Sequence, residues 1–469
     1  MLRRKTLAAG ALAAGCLLAA QGAAAAPPGD VSAQLHGGTL TVRGGDDADL
    51  VGIHARGLAI DVTAGDDASA GRFPLWAVRR IRVETGAGDD RVTLDDGPLA
   101  LLRSTPVTID GGDGYDVTGT SGSPGGQDVD VDAYGGDAVL DRHRHDAGIR
   151  LRATEQLTAA TGAGHDAVHV GQVGELLLQL DLDLGADGRT DQVTVDGTDG
   201  PDQFDAFGST SVLVSGPTFV QLLGAGPDDR LTLDGGAGDD ELNTSLTDTQ
   251  VATTLRGGPG DDTFLGGAGA DRLVGGGGGD FAQGRRGADA IDLGAGNDII
   301  RWDAGDGGDA IRAGSGTFDA LVMWGGPADE TFALEPAGRD ARMTADSGVL
   351  ALGGLERVET VAQVGADAYH LGDLSGTGVT DVIVSLSGVP GTPALDGAID
   401  AMTVDGTDGD DTLAIAGNTS EARVTGLPVR LAIQRTEPAD TLAIAGRGGA
   451  DALDASGLLP GAISARLTD

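Results

Sequence analysis

An all-β fold is what this sequence predicts: a parallel β-roll or β-solenoid of short strands and Gly/Asp turns, with flanking β-rich repeat modules. Three observations predict it. A nine-residue unit repeats five times in unbroken register from Gly257 to Arg301. Outside that run, Gly/Asp turns followed by β-branched or leucine triplets recur along the chain, with no helical periodicity beyond the N-terminal segment. Glycine makes up 82 of 469 residues and aromatics only 3%, which suits a thin-cored coil rather than a core packed around large rings.

The five units read GGPGDDTFL, GGAGADRLV, GGGGGDFAQ, GRRGADAID and LGAGNDIIR. An aspartate stands at the sixth position of each: Asp262, Asp271, Asp280, Asp289 and Asp298. The eighth position is apolar throughout, as Phe264, Leu273, Ala282, Ile291 and Ile300. The glycines Gly257, Gly258, Gly260, Gly266, Gly267, Gly269, Gly275, Gly276, Gly278, Gly284, Gly287 and Gly296 form the turns, where main-chain carbonyls face a shared cavity. The last three residues of a unit form a strand whose central side chain points inward. Nine residues make half a coil, so alternate units stack on one edge, about 4.8 Å apart. Asp262, Asp280 and Asp298 then share one edge, and Asp271 and Asp289 the other. Carboxylates at that spacing repel by roughly 1–3.5 kcal/mol, a penalty that a divalent ion between them reverses.

This pattern resembles the RTX, or hemolysin-type, calcium-binding nonapeptide GGxGxDxUx. The resemblance implies Ca2+ between stacked turns, about three complete sites from five units, and a segment that stays largely unfolded without the ion. Departures from the pattern fall at Arg285 and Arg286 in unit four and at Leu293, which opens unit five. Asp303, Asp306 and Asp309 in WDAGDGGDAI are placed to close one further site.

Related turns lie outside the run, at Asp67, Asp90, Asp116, Asp166, Asp240 and Asp451. Asp240, in GGAGDDELN, fits the full consensus. The others mostly lack a partner eighteen residues away, so a second carboxylate has to come from a neighbouring coil, and an Asx-type turn without metal is an equal reading. Their spacing, often in the low twenties, suggests one coil of a larger solenoid. A longer repeat pairs Val193-Thr-Val-Asp-Gly-Thr-Asp-Gly with Met402-Thr-Val-Asp-Gly-Thr-Asp-Gly. The expected organisation is a signal peptide at 1–26, a degenerate β-rich region at 27–160, one β-rich module at 161–256, the calcium-binding roll at 257–313, and a second copy of the module at 314–469.

Other metal chemistry is weaker. Asp373-Leu-Ser-Gly-Thr-Gly-Val-Thr-Asp381 outlines an EF-hand-like loop in which hydroxyls replace two carboxylates, and a plain strand-connecting turn is the favoured reading. His143, His145 and Asp146, or His165 with His169, are histidine groupings without the helix or third ligand that zinc requires.

Catalytic motifs are missing: there is no HExxH, no GxSxG, and Lys5 and Cys16 are the only lysine and cysteine. The expected function is therefore a non-catalytic calcium-binding protein. The alternatives are a polysaccharide lyase or epimerase using Tyr115, Tyr134, Arg142, His143 and Arg144, or a calcium-dependent adhesin or surface-layer component. A net charge of −41 repels nucleic acid and anionic membrane and suits cations as partners, with self-association or cell-surface and polysaccharide contact left open. Arg3, Arg4 and Lys5 precede an apolar stretch too short to span a bilayer, followed by A-x-A sites at Ala23 to Ala26, so export to the periplasm or medium is expected. Lipidation at Cys16 fits less well, because apolar Leu17 and Leu18 follow it. No apolar run after the signal peptide is long enough for an integral membrane segment.

Overall fold

The computed structural model describes residues 31–65, 68–95, 105–122, 125–142, 148–208, 211–247, 251–386 and 395–468. The signal-peptide segment, Asp67, His143, Arg144, His145 and Asp146 lie outside these residues. Regular structure among the described residues is strand, apart from one 3-10 turn at Leu75–Ala77. No helix among them is long and apolar enough to cross a membrane. Two compact units divide the chain, one of 31–120 with 151–154 and the other of 121–150 with 155–468.

In the second unit the nonapeptides alternate between two parallel sheets. Thr263–Leu265 pairs with Phe281–Gln283, which pairs with Ile299–Asp303. On the other sheet Ala252–Pro259, Arg272–Gly277, Ala290–Ala295 and Ala310–Arg312 pair in turn. Period-2 alternation decides which side chain faces in, so Phe264, Ala282 and Ile300 are fully buried in one sheet. Leu255, Leu273 and Ile291 fill the same inward position of the other. Leu293 is no defect in this frame. It lies two residues beyond Ile291 on the same inward face and is fully buried, where Gly275 of the preceding coil has no side chain.

Away from the centre the coils are not of one size. Gln203–Gly208, Ser211–Ser215 and Val220–Leu223 form an antiparallel meander within one sheet. Its first strand pairs in parallel with Glu241–Thr247 and its last with Gln179–Asp183. Thr412–Gly417, Glu421–Thr425 and Arg430–Gln434 repeat this, flanked by Ala452–Leu458 and Asp381–Ser385. Each meander directly follows one copy of the longer sequence repeat, which lies on Gln192–Asp196 or Ala401–Asp405 and the turn after it, and the meander lengthens its coil without changing how the first strand starts. The first unit is also built of strands, apart from the Leu75–Ala77 turn, with Leu50–Arg56 and Arg91–Asp95 in parallel and Leu50–Arg56 antiparallel to Ala59–Ala64.

Candidate metal centre

The sixth-position aspartates start the parallel strands and link them. The Asp262 N–H donates to Asp280 Oδ1 at 2.9 Å, and the Asp280 N–H to Asp298 Oδ1 at 2.8 Å. Below them Asp240 donates to Asp262 at 2.9 Å, and above them Asp298 donates to Asp319 at 2.9 Å. The opposite edge runs from Asp271 to Asp289 to Asp309, at 2.8 Å for each step. Each aspartate is thus a rung whose Oδ1 caps the backbone of the coil before it.

The other carboxylate oxygen is the informative one. Oδ2 of Asp240, Asp262, Asp280, Asp289 and Asp298 is buried and has no hydrogen-bond partner. The residues themselves are 0–2% exposed. An ionised carboxylate in that position is costly unless a proton or a cation meets it. Burial, reinforced by neighbouring rungs, pushes Asp262 up to about 6, Asp280 to about 7 and Asp289 to about 8, although each accepts a backbone N–H that pulls the other way. Asp271 differs, since its Oδ2 accepts the Gly267 N–H at 2.7 Å.

Glycine geometry brings further oxygens to the same edge. Gly278 has φ +140°, and a Cβ there would lie 2.0 Å from the carbonyl oxygen of Gly260 on the previous coil. A Cβ on Gly275 would lie 2.1 Å from Asp280 Oδ2 and 2.4 Å from the Leu293 carbonyl oxygen. Carboxylate and carbonyl oxygens of successive coils therefore converge where only glycine leaves room. Among the described residues no three acidic, histidine or cysteine side chains converge on one point. A bound ion must then draw on main-chain carbonyls beside the rung carboxylates. An all-oxygen, carbonyl-rich set fits calcium and not zinc. Calcium held there supplies the positive charge that the Oδ2 row lacks.

The remaining sequence candidates divide clearly. Gly257 and Gly284 repeat the Gly275 geometry against Asp262 and Asp289 Oδ2, and Gly266 faces the Gly284 carbonyl. Gly258, Gly260, Gly276, Gly287 and Gly296 each abut a carbonyl of the preceding coil, and for Gly287 that carbonyl belongs to Gly269. Asp240 joins the ladder directly. Asp306 is not a rung: its Oδ2 accepts the Asp303 N–H at 2.8 Å, and Asp309 takes the rung position instead. Asp319 also stands on the ladder and was missed, because its turn carries one residue more than the nonapeptide allows.

The EF-hand-like outline does not assemble. Arg430 takes both Asp381 oxygens, at 2.8 and 2.6 Å, while Asp373 Oδ1 caps the Ser375 N–H and hydroxyl of its own turn. His165 and His169 also separate, His165 Nδ1 lying 3.0 Å from the Thr190 carbonyl and His169 Nε2 2.7 Å from Asp196 Oδ2. Arg142 spends its guanidinium on the carbonyls of Ser121 and Ala160. Tyr134 is exposed with Arg150 stacked 5.1 Å from its ring centroid. In the flanks, Asp90 bonds to Asp116 Oδ1 at 2.9 Å, Asp166 to Asp191 at 2.8 Å and Asp411 to Asp451 at 2.9 Å.

Arg285 holds φ +68° at the position where units one, three and five have Gly258, Gly276 and Gly294 with positive φ. Arg285→Gly is expected to stabilise the chain by about 0.5–1 kcal/mol, the left-handed strain removed less the extra freedom of the unfolded chain. Chemical denaturation in saturating calcium measures it, and a loss of stability would show that the arginine head contributes more than its backbone costs.

Proton linkage provides a second check. The rungs' ordinary value is 3.8 and their folded values are raised, so the cation-free fold gains stability that is complete below about pH 4. That gain is lost as pH rises through about 6, 7 and 8 for Asp262, Asp280 and Asp289. Calcium replaces those protons, so its uptake should release protons at pH 6, release few at pH 9, and tighten as pH rises between them. Calorimetry in buffers of differing ionisation heat reads this directly; heats independent of buffer at pH 6 would contradict it.

Comparison with known families agrees with the geometry. The family model for RTX calcium-binding nonapeptide repeats matches four times, at 232–246, 252–282, 265–300 and 274–308. Comparison with curated proteins finds no match to the chain. The matched segments hold Asp240, Asp262, Asp271, Asp280, Asp289 and Asp298, the rungs described above. At 232–246 and 252–308, therefore, this chain carries RTX calcium-binding nonapeptide repeats.

Proposed function

We propose that the chain is an exported, non-catalytic calcium-binding scaffold whose central coils set when they meet extracytoplasmic calcium. The row of buried, unpartnered Oδ2 atoms at Asp240, Asp262, Asp280 and Asp298 carries this reading. Such a row is a standing demand for positive charge, and it coincides with repeats of a calcium-binding family. The basic, apolar and A-x-A segments at the N-terminus support export, as does the usual secretion of RTX-repeat proteins. Calcium affinities of extracellular modules, with Kd about 10⁻⁴–10⁻³ M, would leave the sites empty in a calcium-poor cytoplasm and filled outside.

Calorimetric titration of the purified chain tests the reading. Saturable uptake of several calcium ions at submillimolar to millimolar concentration is expected, with magnesium failing to compete at equal concentration because it demands a tighter octahedral shell. A chain that takes up no calcium up to 10 mM, about ten times the weakest such Kd, would sink it.

A further inference from the structure

The family match ends at residue 308, but the rung geometry does not. Four turns, 325–330, 362–367, 395–400 and 435–440, end in Glu330, Asp367, Asp400 and Asp440. The Glu330 N–H donates to Asp367 Oδ1 at 2.8 Å, Asp367 to Asp400 Oδ1 at 2.8 Å, and Asp400 to Asp440 Oδ1 at 3.0 Å. These residues start Thr331–Ala337, Ala368–Leu371, Ala401–Asp405 and Thr441–Ala445, which pair in parallel one after another.

The two ends of this ladder are closed by their own turns. Glu330 Oε2 accepts the Gly326 N–H at 2.7 Å, and Asp440 Oδ2 accepts the Glu437 N–H at 2.6 Å. The two middle rungs are not. Asp367 and Asp400, 3% and 0% exposed, each keep a buried Oδ2 with no hydrogen-bond partner. That is the arrangement of Asp262 and Asp280 in the calcium-binding repeats. An outer row of acids lies beside it. Asp329 Oδ1 accepts the Ala366 N–H at 2.9 Å, Asp396 Oδ2 the Gly365 N–H at 3.0 Å, and Glu437 Oε1 the Gly397 N–H at 3.0 Å. The four turns contain seven acidic residues and one basic residue, Arg435.

Two adjacent buried carboxylates with free oxygens must be neutralised by a proton or by a cation. One proton answers one oxygen, whereas one divalent ion between the two adjacent rungs answers both, with main-chain carbonyls making up the rest of its shell. We propose that the ladder binds a divalent cation of its own at Asp367 and Asp400, and that its all-oxygen donors select calcium. Spacings of 33 to 40 residues between rungs hide this site from a nonapeptide pattern. The inference rests on the reading that the central rungs take calcium, since it is from them that the meaning of a free Oδ2 is learned.

Hydrogen exchange of the full chain, with and without calcium at pH 7, separates the two readings. At calcium ten times Kd, opening of a liganded coil falls about elevenfold. The amides of Asp367 and Asp400 should therefore slow by about that factor, as should those of Asp262 and Asp280. Slowing at Asp262 and Asp280 alone overturns this inference and leaves the central one intact. Slowing at neither overturns both, and leaves protonated rungs as the neutralising species. A second arm uses Asp367→Asn with Asp400→Asn, which keeps the Oδ1 acceptor and removes the charge. Equilibrium dialysis should then find about one calcium ion fewer per chain. An unchanged count contradicts the proposal; if the double variant fails to fold, the exchange of the unaltered chain decides.

Discussion

Withdrawing calcium with EDTA is expected to erase the strand signal of the central coils while part of the flanking strand signal survives. At calcium about ten times Kd each filled site contributes ~1.4 kcal/mol, so three sites contribute ~4 kcal/mol. Against a whole-domain stability of 5–15 kcal/mol that is a large share, and it falls on the coils least able to lose it. Their strands are as short as Thr263–Leu265 and Phe281–Gln283, and the inward residue of Phe281–Gln283 is only Ala282. Coils of a solenoid lean mainly on their neighbours, so loss can stay local. The flanking meanders pair over four residues between Ser211–Ser215 and Val220–Leu223 and between Glu421–Thr425 and Arg430–Gln434, with inward Val, Leu and Ile. Far-UV circular dichroism should lose part of its β signal in EDTA and regain it on adding calcium in excess. A full spectrum that calcium leaves unchanged would show that the rungs are neutralised by protons alone and that the ion is not a folding trigger.

Much of this fold was legible because the central coil has a constant length. With eighteen residues from Asp262 to Asp280 to Asp298, the parity of the units alone decides which aspartates share an edge, and the hydrogen bonds follow that parity. The flanks obscure the same geometry. A meander inserted between Asp202 and Asp240 stretches the step to 38 residues, and a glutamate stands in for aspartate at Glu330. Rungs are defined by which backbone N–H they meet across coils, and that relation has no fixed spacing once strands are inserted. The loop outlined by Asp373 and Asp381 failed for a related reason. Its apparent ligand spacing is local, but Arg430, 49 residues further on, is carried to Asp381 by the parallel pairing of Arg430–Gln434 with Asp381–Ser385. No window around the loop contains that arginine.

Gly278→Ala should be among the most damaging small substitutions in the chain. The residue sits at φ +140°, where an L side chain costs about 1–3 kcal/mol in backbone strain. Its new Cβ would also meet the Gly260 carbonyl oxygen at 2.0 Å, with the Gly260 carbonyl carbon at 2.5 Å. Both are backbone atoms of a stacked turn, so relief requires the two coils to part, adding about 1–3 kcal/mol of overpacking. The expected sum is about 2–6 kcal/mol together with weaker calcium binding, because the turn's carbonyls and the Asp280 carboxylate move with it. Gly305→Ala is the matched control. It has φ +98° but its Cβ would meet nothing within 4 Å, so only strain of about 1–2 kcal/mol applies and calcium affinity should hold. Denaturation midpoints in saturating calcium and calorimetric affinities for the two variants distinguish strain from collision. Equal and small losses at both positions would mean that the turns are not held at carbonyl-to-glycine contact in solution. A large loss confined to Gly278 would place the tight stacking of turns, and not glycine flexibility, at the root of the calcium-bound coil.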